Sequence, residues 1–149
     1  MIKDINPGPS SSVPASPYYL SIQRRRFASV GGTLFFEACE PTAGCELWKS
    51  DGTNAGTTLV KDVFPGSYTS FPSYITRFGG RVYFGAIDID HGYEVWTSDG
   101  TAAGTFMVQD TVPGFGDFPA YGFTASGSRL FFSGNDPNTG FELWAVEPP

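Results

Sequence analysis

Histidine is almost absent from this chain and cysteine is scarce, with His91 standing alone and Cys39 and Cys45 the two cysteines among 149 residues. One histidine cannot by itself anchor a histidine-based metal site or a Ser-His-Asp type of triad. Charge is also sparse, at 16% of residues, and the excess of acidic over basic side chains leaves a net charge of −6. That is the wrong sign for a protein whose affinity comes from neutralising phosphates, so nucleic acid is not an expected partner. The only basic cluster, Arg24-Arg25-Arg26, reads as a solvated loop or strand edge in preference to an anion contact. No apolar run approaches the roughly 20 residues that a spanning helix needs, so no membrane span is expected and the chain reads as water-soluble. Met1-Ile2-Lys3-Asp4 lacks the basic start, apolar stretch and small-residue cleavage site of a signal peptide.

Turn formers and aromatics are plentiful. The 19 glycines and 12 prolines break the chain often, while the 16% aromatic content supplies large side chains suited to pleated surfaces. Together they predict an all-β chain of many short strands. Cys39 and Cys45 enclose Pro41 and Gly44, as a connection between two adjacent strands would. A disulfide closing across that hairpin would imply an oxidising compartment, and two free thiols a cytosolic one.

All three tryptophans fall on one ladder. Trp48, Trp96 and Trp144 stand two equal steps of 48 apart, within Glu46-Leu47-Trp48, Glu94-Val95-Trp96 and Glu142-Leu143-Trp144. A fixed period of this length means that one supersecondary unit recurs and stacks on its neighbours. Gly31-Gly32, Gly79-Gly80 and Gly127-Ser128 each open a run of strand length, Thr33-Leu34-Phe35-Phe36, Arg81-Val82-Tyr83-Phe84 and Arg129-Leu130-Phe131-Phe132. A polar stretch ending in Gly44, Gly92 or Gly140 leads to the tryptophan strand. Asp51-Gly52 and Asp99-Gly100 then supply the reversal into an outer strand, 57–63 or 105–111, and Pro65-Gly66 or Pro113-Gly114 ends it. A short segment, 72–78 in the second unit, gives the remaining strand.

Four short strands joined by turns, with nothing of helical length between them, describe a four-stranded antiparallel meander, the blade of a β-propeller. A β-sandwich is the alternative, but it needs no strict period, whereas radial stacking does. The chain is thus expected to form about three blades. Residues 2–8 match 60–66, so 1–8 read as an orphan outer strand; 9–66 form blade 1, 67–114 blade 2, and 115–149 a blade 3 that lacks its own outer strand. Between Gly8 and Gly31 lie 23 positions where the later units have 13, so blade 1 carries a ten-residue insertion in the Ser- and Pro-rich stretch 9–17 and the stretch 18–26. It reads as a solvated excursion, with Tyr18, Tyr19 and the arginines as the alternative binding surface. Three blades do not comfortably surround an axis. Either the chain is the C-terminal piece of a longer array, the preferred reading, or two copies close a six-bladed ring.

The string Glu46-Leu47-Trp48-Lys49-Ser50-Asp51-Gly52-Thr53-Asn54-Ala55-Gly56-Thr57 resembles the ELWxxDGT repeat family. The motif returns from Glu94 to Thr105 with Val95 in place of leucine, and Glu142-Leu143-Trp144 opens it a third time. The resemblance implies tandem propeller-like repeats in large, predicted exported bacterial proteins, hence a secreted or cell-surface location, and no defined activity.

Chemistry is thin by comparison. Glu40, Asp88, Asp90, Asp136 and Asn138 occupy polar connections, and Asp88-Ile89-Asp90-His91-Gly92 could aim two carboxylates at one calcium ion, but the remaining ligands of a calcium loop are missing and turn chemistry is the better reading. No other cofactor is implied. Glu46, Glu94 and Glu142 share a strand face with their tryptophans and are expected to make structural hydrogen bonds to neighbouring turns. A repeated carboxylate is spread one per blade, which does not make a catalytic pair. The sequence therefore points to a noncatalytic structural or interaction module with a protein or glycan partner. A lectin-like propeller is the second reading, and a propeller-fold hydrolase the third.

Overall fold

The computed structural model describes residues 1–13, 26–114 and 116–148. Among them there is no helix, and so none long and apolar enough to cross a membrane. The chain is all-β, built as three antiparallel sheets in chain order. The first joins β1 (Phe27–Val30), β2 (Thr33–Glu40), β3 (Gly44–Ser50) and β4 (Thr58–Lys61). The second joins β5 (Ser73–Phe78), β6 (Arg81–Asp88), β7 (Gly92–Ser98) and β8 (Phe106–Gln109), and the third β9 (Ala120–Ser126), β10 (Arg129–Asp136) and β11 (Gly140–Val146). Each is a simple meander in which every strand pairs with its sequence neighbour.

Local chemistry sets these reversals. Val30 pairs with Thr33 and Phe78 with Arg81, leaving the two-residue turns Gly31-Gly32 and Gly79-Gly80, whose four φ values are all positive. Such turns match the right-handed twist of the flanking strands and need residues without a Cβ penalty. The outer strands are shorter than the sequence suggests because each carries a bulge. Leu47 pairs with Lys61 but Trp48 with Leu59, so Val60 is the extra residue; Val95 with Gln109 and Trp96 with Met107 make Val108 its counterpart. A bulge twists the strand and ends regular pairing.

The sheets pack face to face through two cores. Phe35, Leu47 and Val60 on the front of the first sheet meet Ile75, Val82, Phe84, Ala86 and Trp96 on the back of the second. Tyr83 and Val95 on the front of the second meet Ala120, Phe123, Leu130 and Phe132 on the back of the third, with Trp144 packed against them. The two interfaces are thus built from equivalent positions. The back of the first sheet presents Phe36, Ala38 and Trp48, which Ile5 covers. At the other end, the front of the third sheet is bare: Leu143 is 76% and Phe141 58% exposed, where Leu47 is fully buried.

Residues 1–8 depart from expectation in forming no strand. An outer strand holds its backbone groups by pairing with a tryptophan-bearing strand, and among the described residues no such strand pairs with this segment. Its side chains are nevertheless placed. Of the insertion, 14–25 lie outside the described residues, including Tyr18, Tyr19, Arg24 and Arg25; Ser12 accepts a hydrogen bond from the Cys39 amide, and Arg26 lies 3.8 Å from the Glu37 carboxylate.

Cys39 and Cys45 are direct cross-strand partners of β2 and β3 and are joined by a disulfide. Equivalent positions in the second sheet hold Ile87 and Tyr93. The loop closed is short, so the entropic gain is expected to be about 2 kcal/mol. Thermal unfolding with and without a reductant should differ by that amount, and the Cys39→Ala, Cys45→Ala double variant should match the reduced protein.

Candidate functional site

The repeated motif can be followed atom by atom. Asp51 Oδ1 accepts hydrogen bonds from the Thr53 amide at 2.9 Å and the Thr53 hydroxyl at 2.7 Å; Thr53 Oγ1 in turn accepts from the Gly56 amide. Thr57 donates to the Thr53 carbonyl and shares a 2.7 Å bond with Ser50, whose oxygen accepts from the Gly52 amide. Asp99, Gly100, Thr101, Gly104, Thr105 and Ser98 repeat every one of these bonds. Glycine at 56 and 104 leaves room for the carboxylate: a Cβ there would fall about 2.1 Å from Asp51 or Asp99, which would have to shift away from its threonine partners. Hydrogen bonding to the charged form holds both aspartates below their ordinary pKa. Asp51 and Asp99 are therefore turn-builders.

The glutamates act one turn further along. Glu46 is fully buried and accepts four hydrogen bonds: from the amides of Val63, Phe64 and Ser70 and from the Ser70 hydroxyl at 2.6 Å. It takes over where the bulged outer strand loses its ladder, so the carboxylate replaces a missing strand as acceptor. The position equivalent to Ser70 holds Phe118, whose amide bonds to the Tyr93 carbonyl as that of Ser70 does to Cys45. Glu94 consequently keeps one bond of ordinary length, from the Val112 amide at 3.3 Å; the Thr111 amide and hydroxyl also favour its charged form, but no donor reaches Oε2 at bonding distance. Glu142 is exposed on the third sheet.

Burial pushes the Glu46 and Glu94 carboxyls up to about 7, against the hydrogen bonds that lower them. For both, the folded state therefore holds more protons than the unfolded state between the ordinary value of 4.5 and about 7. Stability is expected to fall as pH rises through that window and to level off above it, while the turn aspartates lose stability only as pH falls below their ordinary 3.8. Urea midpoints should be higher at about pH 5 than at about pH 8. Glu94→Gln, an uncharged isostere, should reduce this slope to the share that Glu46 contributes without unfolding the chain; a midpoint that rises toward alkaline pH would contradict the assignment.

The tryptophans carry packing. Trp48 and Trp96 are buried, and each lies beneath a lysine: Lys3 Nζ is 5.9 Å from the Trp48 ring and donates to the Thr57 carbonyl, while Lys61 Nζ is 5.6 Å from Trp96 and donates to Thr105. Trp144 instead donates to the Gly134 carbonyl and meets Phe118 edge-on at 5.0 Å.

The acidic connections are also committed to turns. Asp88 Oδ1 accepts from the amides of Asp90 and His91, and Oδ2 lies 2.8 Å from His91 Nδ1, which raises the histidine pKa. Asp136 caps its loop through the amides of Asn138 and Thr139. Among the described residues no group of three or more His, Cys, Asp or Glu side chains is placed to hold a metal ion.

Concave features remain to be placed. β1, β5 and β9 lie side by side and enclose a cavity of about 360 Å³, to which each contributes the same three positions, 27–29, 75–77 and 123–125. Arg77 is its one charged residue and also borders a second cavity of about 480 Å³ beside the Gly31 and Gly79 turns. Neither holds a nucleophile paired with a base. No family model, curated protein or solved structure matches the chain.

Proposed function

We propose that the chain is a noncatalytic, propeller-like interaction module of a secreted or cell-surface protein, as its resemblance to the ELWxxDGT repeats implies. The sheets correspond to successive blades, and the three edge strands around the Arg77 cavity to the inner strands that line an axis. One observation carries the reading: the recurring carboxylates Glu46, Asp51, Glu94 and Asp99 each accept bonds that shape their repeat, which leaves no unique reactive constellation among the described residues. A protein partner would be met by the loops and the axial mouth.

Exposed aromatics favour a second reading. Tyr121 and Phe141, with rings 5.9 Å apart, offer a surface on which a sugar could stack, as in a lectin. A glycan array with competition by free sugar separates the two: reproducible, competable binding lost in Phe141→Ala selects the lectin. Chromogenic glycoside, ester and peptide substrates should show no turnover above buffer. Turnover abolished by Arg77→Ala would instead favour a hydrolase.

A further inference from the structure

We propose that Arg77 and the free edges of β1, β5 and β9 form a binding site for a carboxylated sugar, a hexuronate. The proposal rests on the noncatalytic reading above, in which these strands line an axis, and gives that site its ligand class. Arg77 stands apart among the basic side chains. Lys3, Lys49 and Lys61 each donate to a backbone carbonyl, Arg81 donates to Thr97 and Gly104, and Arg26 and Arg129 each lie beside a glutamate. Among the described lysines and arginines Arg77 alone has no such partner, although the chain holds 15 acidic residues. It also breaks the repeat. Ser29 and Ala125 hold the equivalent position on β1 and β9, so the packing of a blade does not call for a guanidinium there. The Arg77 side chain is exposed where the cavities of about 360 and 480 Å³ meet, and no acidic residue among those described lines either one. Both volumes fall in the range of small-ligand sites.

The backbone supplies the rest of the site. Val30 with Thr33, Phe78 with Arg81 and Ser126 with Arg129 flank two-residue hairpins and so form hydrogen-bonded pairs. Alternation then turns the N–H and C=O of the preceding residues, Ser29, Arg77 and Ala125, away from their own sheets. Each of the three strands is the edge of its sheet, and β5 touches β1 and β9 without pairing with either, so these groups face the cavity. A ligand here must donate as well as accept. An inorganic anion only accepts and would set its charge against the carbonyls, and a fatty carboxylate would leave amides and carbonyls unpaired. A sugar hydroxyl does both. Buried Ile75 and Phe123 line the same cavity and offer an apolar wall to the C–H face of a pyranose ring, while the guanidinium matches a carboxylate through two parallel bonds. A peptide strand fits less well, because bulges before Thr76 in β5 and before Thr124 in β9 interrupt the run of edge groups it would pair with.

Methyl β-D-glucuronide titrated into the isotope-labelled chain at physiological ionic strength should shift the amide signals of Ser29, Arg77 and Ala125 saturably. Methyl β-D-glucoside, the ring without the carboxylate, and acetate, the carboxylate without the ring, should each bind at least about tenfold more weakly. Arg77→Gln should weaken the glucuronide by a similar factor with the rest of the spectrum unchanged, and Arg77→Lys, which keeps the charge but not the fork, should recover only part of it. No saturable shift, acetate or glucoside binding as tightly as the glucuronide, or an affinity indifferent to Arg77→Gln overturns the proposal. So does tighter binding of an acetylated hexaglutamate peptide, which would assign the edges to an acidic partner protein. With para-nitrophenyl β-D-glucuronide the chain should bind and release no nitrophenol. Absence of both binding and release would sink the sugar site and leave the noncatalytic reading standing, whereas release would remove that reading itself.

Discussion

Replacing Glu46 with alanine is expected to destabilise the chain by about 3–5 kcal/mol, because three backbone amides and the Ser70 hydroxyl lose a common buried acceptor at once. The cost lies in the donors left behind. Water cannot replace the carboxylate without opening the connection between β4 and β5, and that connection joins two sheets of the same core. Glu94→Ala should cost about 1–2 kcal/mol, since one clear bond is lost and an unpartnered buried oxygen is relieved. Glu142→Ala should change the stability of the single chain by less than about 0.5 kcal/mol. Urea unfolding of the three variants checks the order, and equal losses at the three positions would mean that the glutamates do not act through the bonds described. Because a domain of this kind is stable by only about 5–15 kcal/mol, Glu46→Ala brings it a large part of the way to unfolding.

Trp96→Ala is the second large effect. The indole is buried between the first and second sheets against Phe35, Val63 and Phe84, and its removal is expected to cost about 3–5 kcal/mol in lost burial and cavity formation. Trp48→Ala should approach this value, as Ile5, Phe36 and Leu59 also enclose its ring. Trp144 is only half-buried, so its loss should cost less, about 2 kcal/mol. Calorimetric melting temperatures should fall in the order Trp96, Trp48, Trp144, the largest drop first. A larger drop at Trp144 than at Trp96 would place the main core at the wrong end of the chain.

Much of this architecture is legible in the residues. The 48-residue step, the Gly-Gly hairpins and the Asp-Gly reversals mark the strands because each depends on local chemistry, and the sheets fall between the turns so marked. Pro41 and Gly44 between Cys39 and Cys45 mark a hairpin that can bring the two together, but the sequence leaves open whether they are bonded, as they are, or free. What escapes a reading of the sequence is long-range. Ser70 lies 24 residues from Glu46 in a connection without periodicity, so nothing marks it as a donor, although Phe118 at the equivalent place signals that the second copy must differ. The strain at Tyr74, with φ of 56°, is similarly hidden until Gly122, with φ of 70°, is set at the same repeat position. A glycine there points to the bulge that β5 and β9 share, and Tyr74 adopts the same conformation while its ring packs on Tyr121. The orphan strand expected at residues 1–8 matched by sequence alone, yet a strand also needs a neighbour to pair with.

The central claim is that successive repeats stack through equivalent faces, with the front of one sheet against the back of the next. Phe35 and Gly100 test it most directly. A Cβ built on Gly100 would stand 3.1 Å from Phe35 Cζ, so the glycine α-protons lie against the edge of an aromatic ring that belongs to the preceding repeat, 65 positions away in the chain. In a two-dimensional proton spectrum of the folded chain, the Phe35 ring and the Gly100 α-protons should show a strong cross-peak that vanishes in Phe35→Leu. A well-dispersed spectrum in which that cross-peak is missing would mean that the sheets form but do not stack as described.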